Sequence, residues 1–397
     1  MPTRRCRLAS IMRVLVIARE FPPRSGGIGE VARLEAEGLS ERNHECVVLT
    51  DSRHRLDRAY PTLISLPARG PDPLFHYHFA LSVCKWIKRN GADFDAIHLH
   101  FPEATYVPLL APKQELHRMW ATVHTSWWGM WQRYYRRADF SHMSAREIPS
   151  KVALARIQSS LERRALRKVP RVAAVSEGVA TELKQGYGLE DVAIIPNGTE
   201  PANREAAHPT WTTGLEPSER GVFVGALRGQ KGLFRGIDAL SQSSRRPSLL
   251  LIGTGRLRGR LEKHARRRAC RVSFGGFVAK DTLVQVLGSS AFFFLPSFYE
   301  GQSVAALEAC ASRLPVLGFS GTGVEYSVSR ANREWLVPNG DLPRFAAILD
   351  TFASDDRLRR EIGTSNWSFA TKYNAAKMVS EYESWLSDRS IASSHSG

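Results

Sequence analysis

Short apolar runs alternate along this chain with longer stretches whose apolar positions recur at helical spacing. In the first half, residues 14–18, 46–50, 96–100, 120–124, 172–175 and 193–195 read as strands. Residues 30–40, 74–89, 151–168 and 177–185 read as helices between them. The strands are apolar throughout rather than alternating, so both sheet faces are covered, which implies parallel sheets with crossover helices. Residues 196–220 break the rhythm, being rich in Pro, Gly, Thr, Glu and Asn. A second series follows at 222–225, 249–252, 272–274, 291–295 and 315–318, with a short run at 336–337.

The expected fold is therefore α/β, with two Rossmann-like doubly wound domains facing each other across a cleft. The first domain is assigned to residues 12–200, the linker to 201–220 and the second domain to 221–369. A helix at about 370–386 carries Tyr373, Met378, Tyr382 and Trp385 and is expected to pack back on the first domain. Residues 1–11 read as a disordered basic arm or a mis-assigned extension, because Met12 leads directly into the first strand. Residues 390–397 read as a disordered tail.

Composition narrows the class. The chain has 397 residues, 43% hydrophobic and 24% charged, as in an ordinary globular protein. Its longest apolar runs are far too short to span a bilayer. The opening residues lack the apolar segment of a secretory signal. Five scattered cysteines, without C-x-x-C pairs, suit a reducing cytoplasm and argue against structural zinc. The formal net charge of +16 points to an anionic partner: nucleic acid, anionic lipid or a phosphorylated small molecule. Heavy arginine usage is the plain alternative. The chain carries no nucleic-acid-binding motif, so no specific nucleic acid is expected.

Ligands of doubly wound sheets bind beyond the carboxyl ends of the strands, and several motifs fall there. Pro22–Ala32, P-P-R-S-G-G-I-G-E-V-A, follows the first strand and opens a helix. Gly26, Gly27 and Gly29 let a ligand approach the backbone, and the helix presents its positive end. The spacing is neither the G-x-G-x-x-G of dinucleotide folds nor a P-loop. Gly221–Leu233 places Arg228 and Lys231 on a glycine-rich loop after the first strand of the second half. Cations there suit a diphosphate whose charge grows as a bond breaks. Asp93 and Asp95 form a D-x-D, but at the amino end of a strand, the wrong edge for a metal-held ligand. His100 and His124 end strands at the ligand edge, while His98 reads equally as a core residue. Around 127–137, tryptophans and tyrosines mix with Arg133, Arg136 and Arg137, a composition that suits sugar stacking or a membrane interface.

Residues 299–309, Y-E-G-Q-S-V-A-A-L-E-A, raise a separate question. Ser303 reads as the N-cap of a helix in which Glu308 lies among apolar residues. An ionised carboxylate there needs a partner: either hydroxyl groups of a ligand or a buried ion pair with one of the many arginines.

The order of these segments resembles retaining glycosyltransferases of the GT-B class, the large group that includes bacterial mannosyltransferases and glycogen and sucrose synthases. The resemblance runs from Met12 to about Leu386. It is carried by G-G-I-G-E-V-A-R-L-E-A-E-G-L, A-V-S-E-G-V-A-T-E-L, I-P-N-G-T-E, L-L-L-I-G-T-G-R-L and above all F-F-F-L-P-S-F-Y-E-G-Q-S-V-A-A-L-E-A. The last contains the family's E-x7-E at Glu300 and Glu308. The resemblance implies that Glu300 and the backbone of Gly301, Gln302 and Ser303 hold donor-sugar hydroxyls. It implies ribose binding by Glu308, and diphosphate binding by Lys231 with Gly26 and Gly27 opposite. His124 would stand near the donor sugar, and Gly276 and Phe277 near the base. The chain departs from the family at Ala226, where an arginine is usual and Arg228 is the substitute, and at Gln302-Ser303, where an aromatic-glycine pair is usual.

The implied activity is hexosyl transfer with retention from a UDP- or GDP-linked sugar to a hydroxyl of a glycan or lipid-linked sugar. No metal and no cofactor beyond the donor substrate are expected. The expected location is cytoplasmic, with an anionic membrane surface as a further partner. The alternatives are a sugar-nucleotide epimerase, for which no acid-base set stands out, and a non-catalytic basic binding protein.

Overall fold

The computed structural model describes residues 11–22, 26–51, 61–70, 74–136, 147–200 and 219–388. Residues 1–10, most of the linker (201–218), the tail and Arg137 lie outside the described residues.

The first sheet holds seven parallel strands: β1 (Arg13–Ile17), β2 (Glu45–Thr50), β3 (Thr62–Ser65), β4 (Ala96–Phe101), β5 (Met119–Val123), β6 (Arg171–Ala174) and β7 (Val192–Ile194). Their order is β3-β2-β1-β4-β5-β6-β7. The second sheet holds five parallel strands, β8 (Gly221–Val224), β9 (Leu249–Ile252), β10 (Val272–Gly276), β11 (Phe292–Leu295) and β12 (Val316–Gly318), in the order β10-β9-β8-β11-β12. The longer helices are α1 (Gly27–Glu41), α2 (Leu74–Asn90), α3 (Glu147–Leu166), α4 (Glu177–Tyr187), α5 (Leu233–Gln242), α6 (Arg258–Arg267), α7 (Lys280–Gly288), α8 (Val304–Ala311), α9 (Leu342–Ser354), α10 (Asp356–Ala370) and α11 (Ala375–Ser387).

Strand order reverses between β1 and β4 in one sheet and between β8 and β11 in the other. These are the switch points where crossovers leave in opposite directions and open a crevice. The segment after β1 carries Gly26 and Gly27; the segments after β8 and β11 carry Arg228, Lys231 and Glu300.

Three details differ from the sequence pattern. The run 62–65 forms the edge strand β3, too short and half-exposed to stand out. Residues 336–337 contribute only an isolated bridge, Phe319 with Val337. The final helix starts later than residue 370: α10 ends at Ala370, residues 371–373 form a 3-10 turn, and α11 starts after Asn374, whose side chain accepts from Lys377 N and so caps it. Met378, Val379, Tyr382 and Leu386 of α11 are buried in one cluster with Val14, Val16, Val31 and Ala32. The last helix thus completes the core of the first domain rather than the second.

Candidate active site

The site is built first on the loops after β8 and β11. Lys231 Nζ donates to Glu300 Oε1 at 2.8 Å, with the carboxylate buried and the ammonium half-buried. Gln230 Nε2 donates to the carbonyl of Tyr299 at 2.9 Å, and Phe298 N donates to the carbonyl of Gln230 at 2.9 Å. Gly232 adopts φ +63°, and a Cβ there would stand 2.0 Å from the carbonyl oxygen of Pro296, so only glycine lets the loops meet. Arg235 of α5 fastens the same turn from below. It donates to the carbonyls of Pro296 (2.9 Å) and Ser297 (2.5 Å), and its guanidinium lies 3.6 Å from the Phe298 ring centroid. Burial without a carboxylate partner lowers its pKa to about 9.

The loop carrying Glu300 is then bolted to the first domain. Tyr299 Oη donates to Glu182 Oε2 at 2.6 Å and accepts from Ser126 N at 2.9 Å. Ser176 Oγ donates to the carbonyl of Gly301 at 2.8 Å. Asn197 N donates to Gln302 Oε1 at 2.7 Å, and Asn197 Nδ2 to the Gln302 carbonyl at 3.0 Å. A Cβ on Gly301 would lie 1.7 Å from the carbonyl oxygen of His124, so this glycine is required by the close approach of the two domains. The Gln302 side chain therefore joins domains, its Nε2 donating to Tyr326 O at 3.2 Å. Ser303 caps α8, its Oγ accepting from Ala306 N, while Ser303 N donates to Ser327 Oγ at 2.7 Å.

The question posed by Glu308 has a definite answer here. Its carboxylate accepts from Lys280 Nζ, at the amino end of α7. The same ammonium donates to Glu30 of α1 at 3.2 Å, and Glu30 is also held by Arg33. Burial pushes the Glu308 carboxyl up, and Lys280 opposes it. Lys280 is itself partly desolvated, but the two carboxylates raise it. The partner is thus not one of the arginines but Lys280, which the sequence pattern did not single out.

Across the crevice, Gly26 N donates to Glu20 Oε2 at 2.9 Å, so a carboxylate of the protein caps the amino end of α1. Burial pushes the Glu20 carboxyl up; Arg19, the Gly26 N–H and Arg228 of the other domain together hold it below its ordinary value. Gly27 faces Val304, the first residue of α8, a Cβ there standing 3.4 Å from the valine side chain. The positive ends of α1 and α8 therefore meet at one place. Glu20 also shares Arg19 with Asp51 and Glu103, and burial raises Glu103 to about 7.

His124 lies just past β5, buried, with its Nε2 2.9 Å from His100 Nδ1. His100 is completely buried, so it reaches the crevice only through His124. Arg133 of the aromatic-basic segment pairs with Glu182 at 3.2 Å, and Tyr134 packs on Phe298, so these two residues serve the domain contact. Asp95 Oδ2 accepts from Arg13 N at the amino edge of β4, an ordinary structural role. Phe277 is 49% exposed, next to Gly276 in its left-handed conformation at φ +67°. Arg228 is exposed at the crevice side of its loop.

Sequence reasoning missed Glu35, Glu182, Lys280, Asn197, Arg235 and Tyr299 as parts of this assembly. Glu35 had a readable signal: it stands on the stripe Val31–Glu35–Leu39, four residues apart, on the buried face of α1. Asn197 lay in the quoted segment I-P-N-G-T-E, and Lys280 had no signal, because its partners Glu30 and Glu308 are remote in sequence.

Two doubly wound parallel-sheet domains that meet at their switch points make up a GT-B fold. The chain belongs to the glycosyltransferases of this fold: residues 25–203 match the model described as Glycosyltransferase Family 4, and residues 218–355 the model described as Glycosyl transferases group 1. It is similar to an uncharacterized glycosyltransferase of Methanocaldococcus jannaschii, at 26% identity over 94% of this chain and 95% of that one. Among solved structures it resembles sucrose-phosphate synthase from Thermosynechococcus elongatus, with TM-score 0.78 and 18% identity over 94% of this chain and 98% of the other. It also resembles an Anabaena protein solved in complex with UDP-glucose, with TM-score 0.72 and 17% identity over 95% of this chain and 99% of the other. Among the described residues, no helix is long and apolar enough to cross a membrane.

Proposed function

We propose that this enzyme moves a hexosyl group from a nucleotide-diphosphate sugar to a hydroxyl acceptor and retains the anomeric configuration. The observation that carries the reading is the Lys231–Glu300 pair, 2.8 Å apart at the switch point of the second domain. A carboxylate that accepts sugar hydroxyls and a cation that meets a diphosphate belong side by side at the bond that breaks.

In this reading the diphosphate lies between Lys231 and the turn at Gly26 and Gly27, where it takes the place of the Glu20 carboxylate on the α1 amino end. Arg228, already acting on Glu20, then acts on the phosphate instead. Glu300 and the backbone at Gly301, Gln302 and Ser303 hold the sugar, with His124 beside it. Glu308 accepts from the ribose hydroxyls, sharing its oxygens with Lys280. Gly276 and Phe277 flank the base. As the glycosidic bond lengthens, negative charge grows on the diphosphate and positive charge on the sugar, the cation-like state typical of glycosyl chemistry. Lys231, Arg228 and the two helix ends stabilise the leaving group. The departing phosphate accepts the acceptor's proton on the same face, so configuration is retained. These cations meet the diphosphate charge without a metal, so activity should survive EDTA.

The resemblance to a protein solved with UDP-glucose makes that donor the first to try. Exposed Arg163, Arg164, Arg167 and Lys168 at the end of α3 suit a lipid-linked or polymeric anionic acceptor at a cytoplasmic membrane face. The test is a thermal-shift screen of UDP-, GDP- and ADP-sugars, followed by NMR of the product anomer. Sugar transfer with inversion would overturn retention. Conversion of the donor's sugar without release of nucleotide diphosphate would overturn transfer in favour of epimerisation.

A further inference from the structure

The reaction needs only the crevice face of His124, yet its ring is tied to a chain of groups that leads inward. His124 Nε2 lies 2.9 Å from His100 Nδ1. His100 Nε2 lies 2.9 Å from Glu35 Oε2. Glu35 Oε1 lies 2.6 Å from His98 Nδ1, and His98 Nε2 lies 2.8 Å from Thr122 Oγ1. The rings of His100 and His124 stack, with centroids 5.2 Å apart and planes at 24°. Tyr382 and Trp385 of α11 close the His98 end, at centroid distances of 5.0 and 5.7 Å. Glu35, His98 and His100 have no exposed surface.

The trio Glu35, His98 and His100 is of metal-ligating type, with its donor atoms within 4.8 Å of one another. Its polar atoms, however, already meet one another at hydrogen-bond lengths. Hydrogen bonding accounts for the cluster without an ion.

The direction of each bond follows from one carboxylate. Burial pushes the Glu35 carboxyl up, but His98 and His100 outweigh burial and hold it at about 2. Ionised, it can only accept. His100 must then carry its proton on Nε2. Burial and the neighbouring His98 lower the pKa of His100, so the ring is neutral and its Nδ1 is bare. A bare Nδ1 accepts, so His124 must carry its own proton on Nε2, leaving Nδ1 as its lone-pair nitrogen. Burial, then His100 and His98, keep His124 neutral, against the smaller opposing effects of Glu35 and Asn197.

We propose that Glu35 is a positioning residue of the active site, which acts through His100 to fix the tautomer and ring orientation of His124. The inference deepens the transfer reading and rests on it for the role of His124, but the tautomer itself does not depend on that role. A buried carboxylate set only for stability would not need two imidazoles in line toward the crevice. The same second-sphere logic fixes metal-bound and catalytic histidines elsewhere.

The test is nitrogen-15 NMR of the histidine side chains in the full-length protein, which needs no substitution for its first arm. The expected result is His124 and His100 neutral between pH 6 and pH 8, both protonated on Nε2, with Nδ1 bare on each. A proton on His124 Nδ1 would overturn the proposal. In Glu35→Gln, an amide that donates as well as accepts should replace the single His124 tautomer with the other form or a mixture. An unmoved His124 tautomer in a folded variant would also overturn it, because that is what a purely structural Glu35 predicts. The kinetic arm measures nucleotide-diphosphate release from UDP-glucose and GDP-mannose. Glu35→Gln should lower kcat about tenfold or more, with KM for the donor changed less. Equal activity of variant and wild type would overturn the positioning role. Absence of turnover by the wild type would count against the transfer reading, and the NMR arm would still decide the tautomer.

Discussion

Tyr299, the residue before Glu300, donates its hydroxyl to Glu182 of the opposite domain at 2.6 Å. The bond runs between the loop that carries Glu300 and helix α4, so the Glu300 carboxylate takes its position from both domains. Tyr299→Phe leaves Ser126 N–H unmet and Glu182 Oε2 with Ser126 Oγ alone. It should cost about 1–3 kcal/mol and raise the donor KM. Urea unfolding and donor kinetics check this; a variant that matches the wild type in both would show that the bond does not position the loop.

Lys231→Ala removes the cation beside Glu300. Turnover should fall more than tenfold, about 1.4 kcal/mol or more of transition-state stabilisation. Steady-state kinetics with the donor found by the screen is the measurement. Unchanged turnover would place the diphosphate elsewhere.

Lys280→Met removes the cation that Glu308 and Glu30 share. Burial already pushes the Glu308 carboxyl up, and without Lys280 it should rise further. A folded-state pKa above the unfolded value favours the folded protein at low pH, and this advantage is lost as pH rises through the folded pKa. The stability deficit of Lys280→Met should therefore be larger at pH 8 than at pH 5, as read from urea midpoints. An equal deficit at both would mean that Glu308 does not titrate in that interval.

Glu162 is buried beneath the Trp127 turn, accepting from Tyr187 Oη at 2.5 Å and Trp127 N at 2.7 Å. Burial raises its pKa to about 8. The sign is again that of a raised carboxyl: stability is highest below the ordinary carboxylate range and falls as pH rises toward about 8. Glu162→Gln keeps an acceptor oxygen and cannot ionise. Thermal melts from pH 5 to 9 should show a smaller alkaline loss in the variant than in the wild type; parallel curves would contradict the assignment.

How much of this was readable in the chain varies by residue. The strands at 14–18, 96–100 and 249–252 were legible because a strand covered on both faces is a continuous apolar run. The N-cap at Ser303 was legible because capping is decided within four residues. Lys231 and Glu300 were candidates on local grounds, each at the end of a strand beside glycine. That they touch depends on β8 and β11 being neighbours, which is a property of strand order rather than of either segment.

What the sequence by itself determined is every strand but the edge strand β3, the doubly wound class and the loops that end at the crevice, since these follow from periodicity and turn residues over short spans. Tertiary structure alone decided the partners of the buried charges: Lys280 for Glu308, Tyr299 for Glu182, and His98 and His100 for Glu35. The physical reason is that a buried carboxylate must find compensation within about 4 Å, and the group that supplies it can come from anywhere in the chain. The sequence shows that such a debt exists at Glu308, among alanines and a leucine. Only the packing of α7 and α1 against α8 shows that Lys280 supplies the compensation, and that Glu30 draws on the same ammonium.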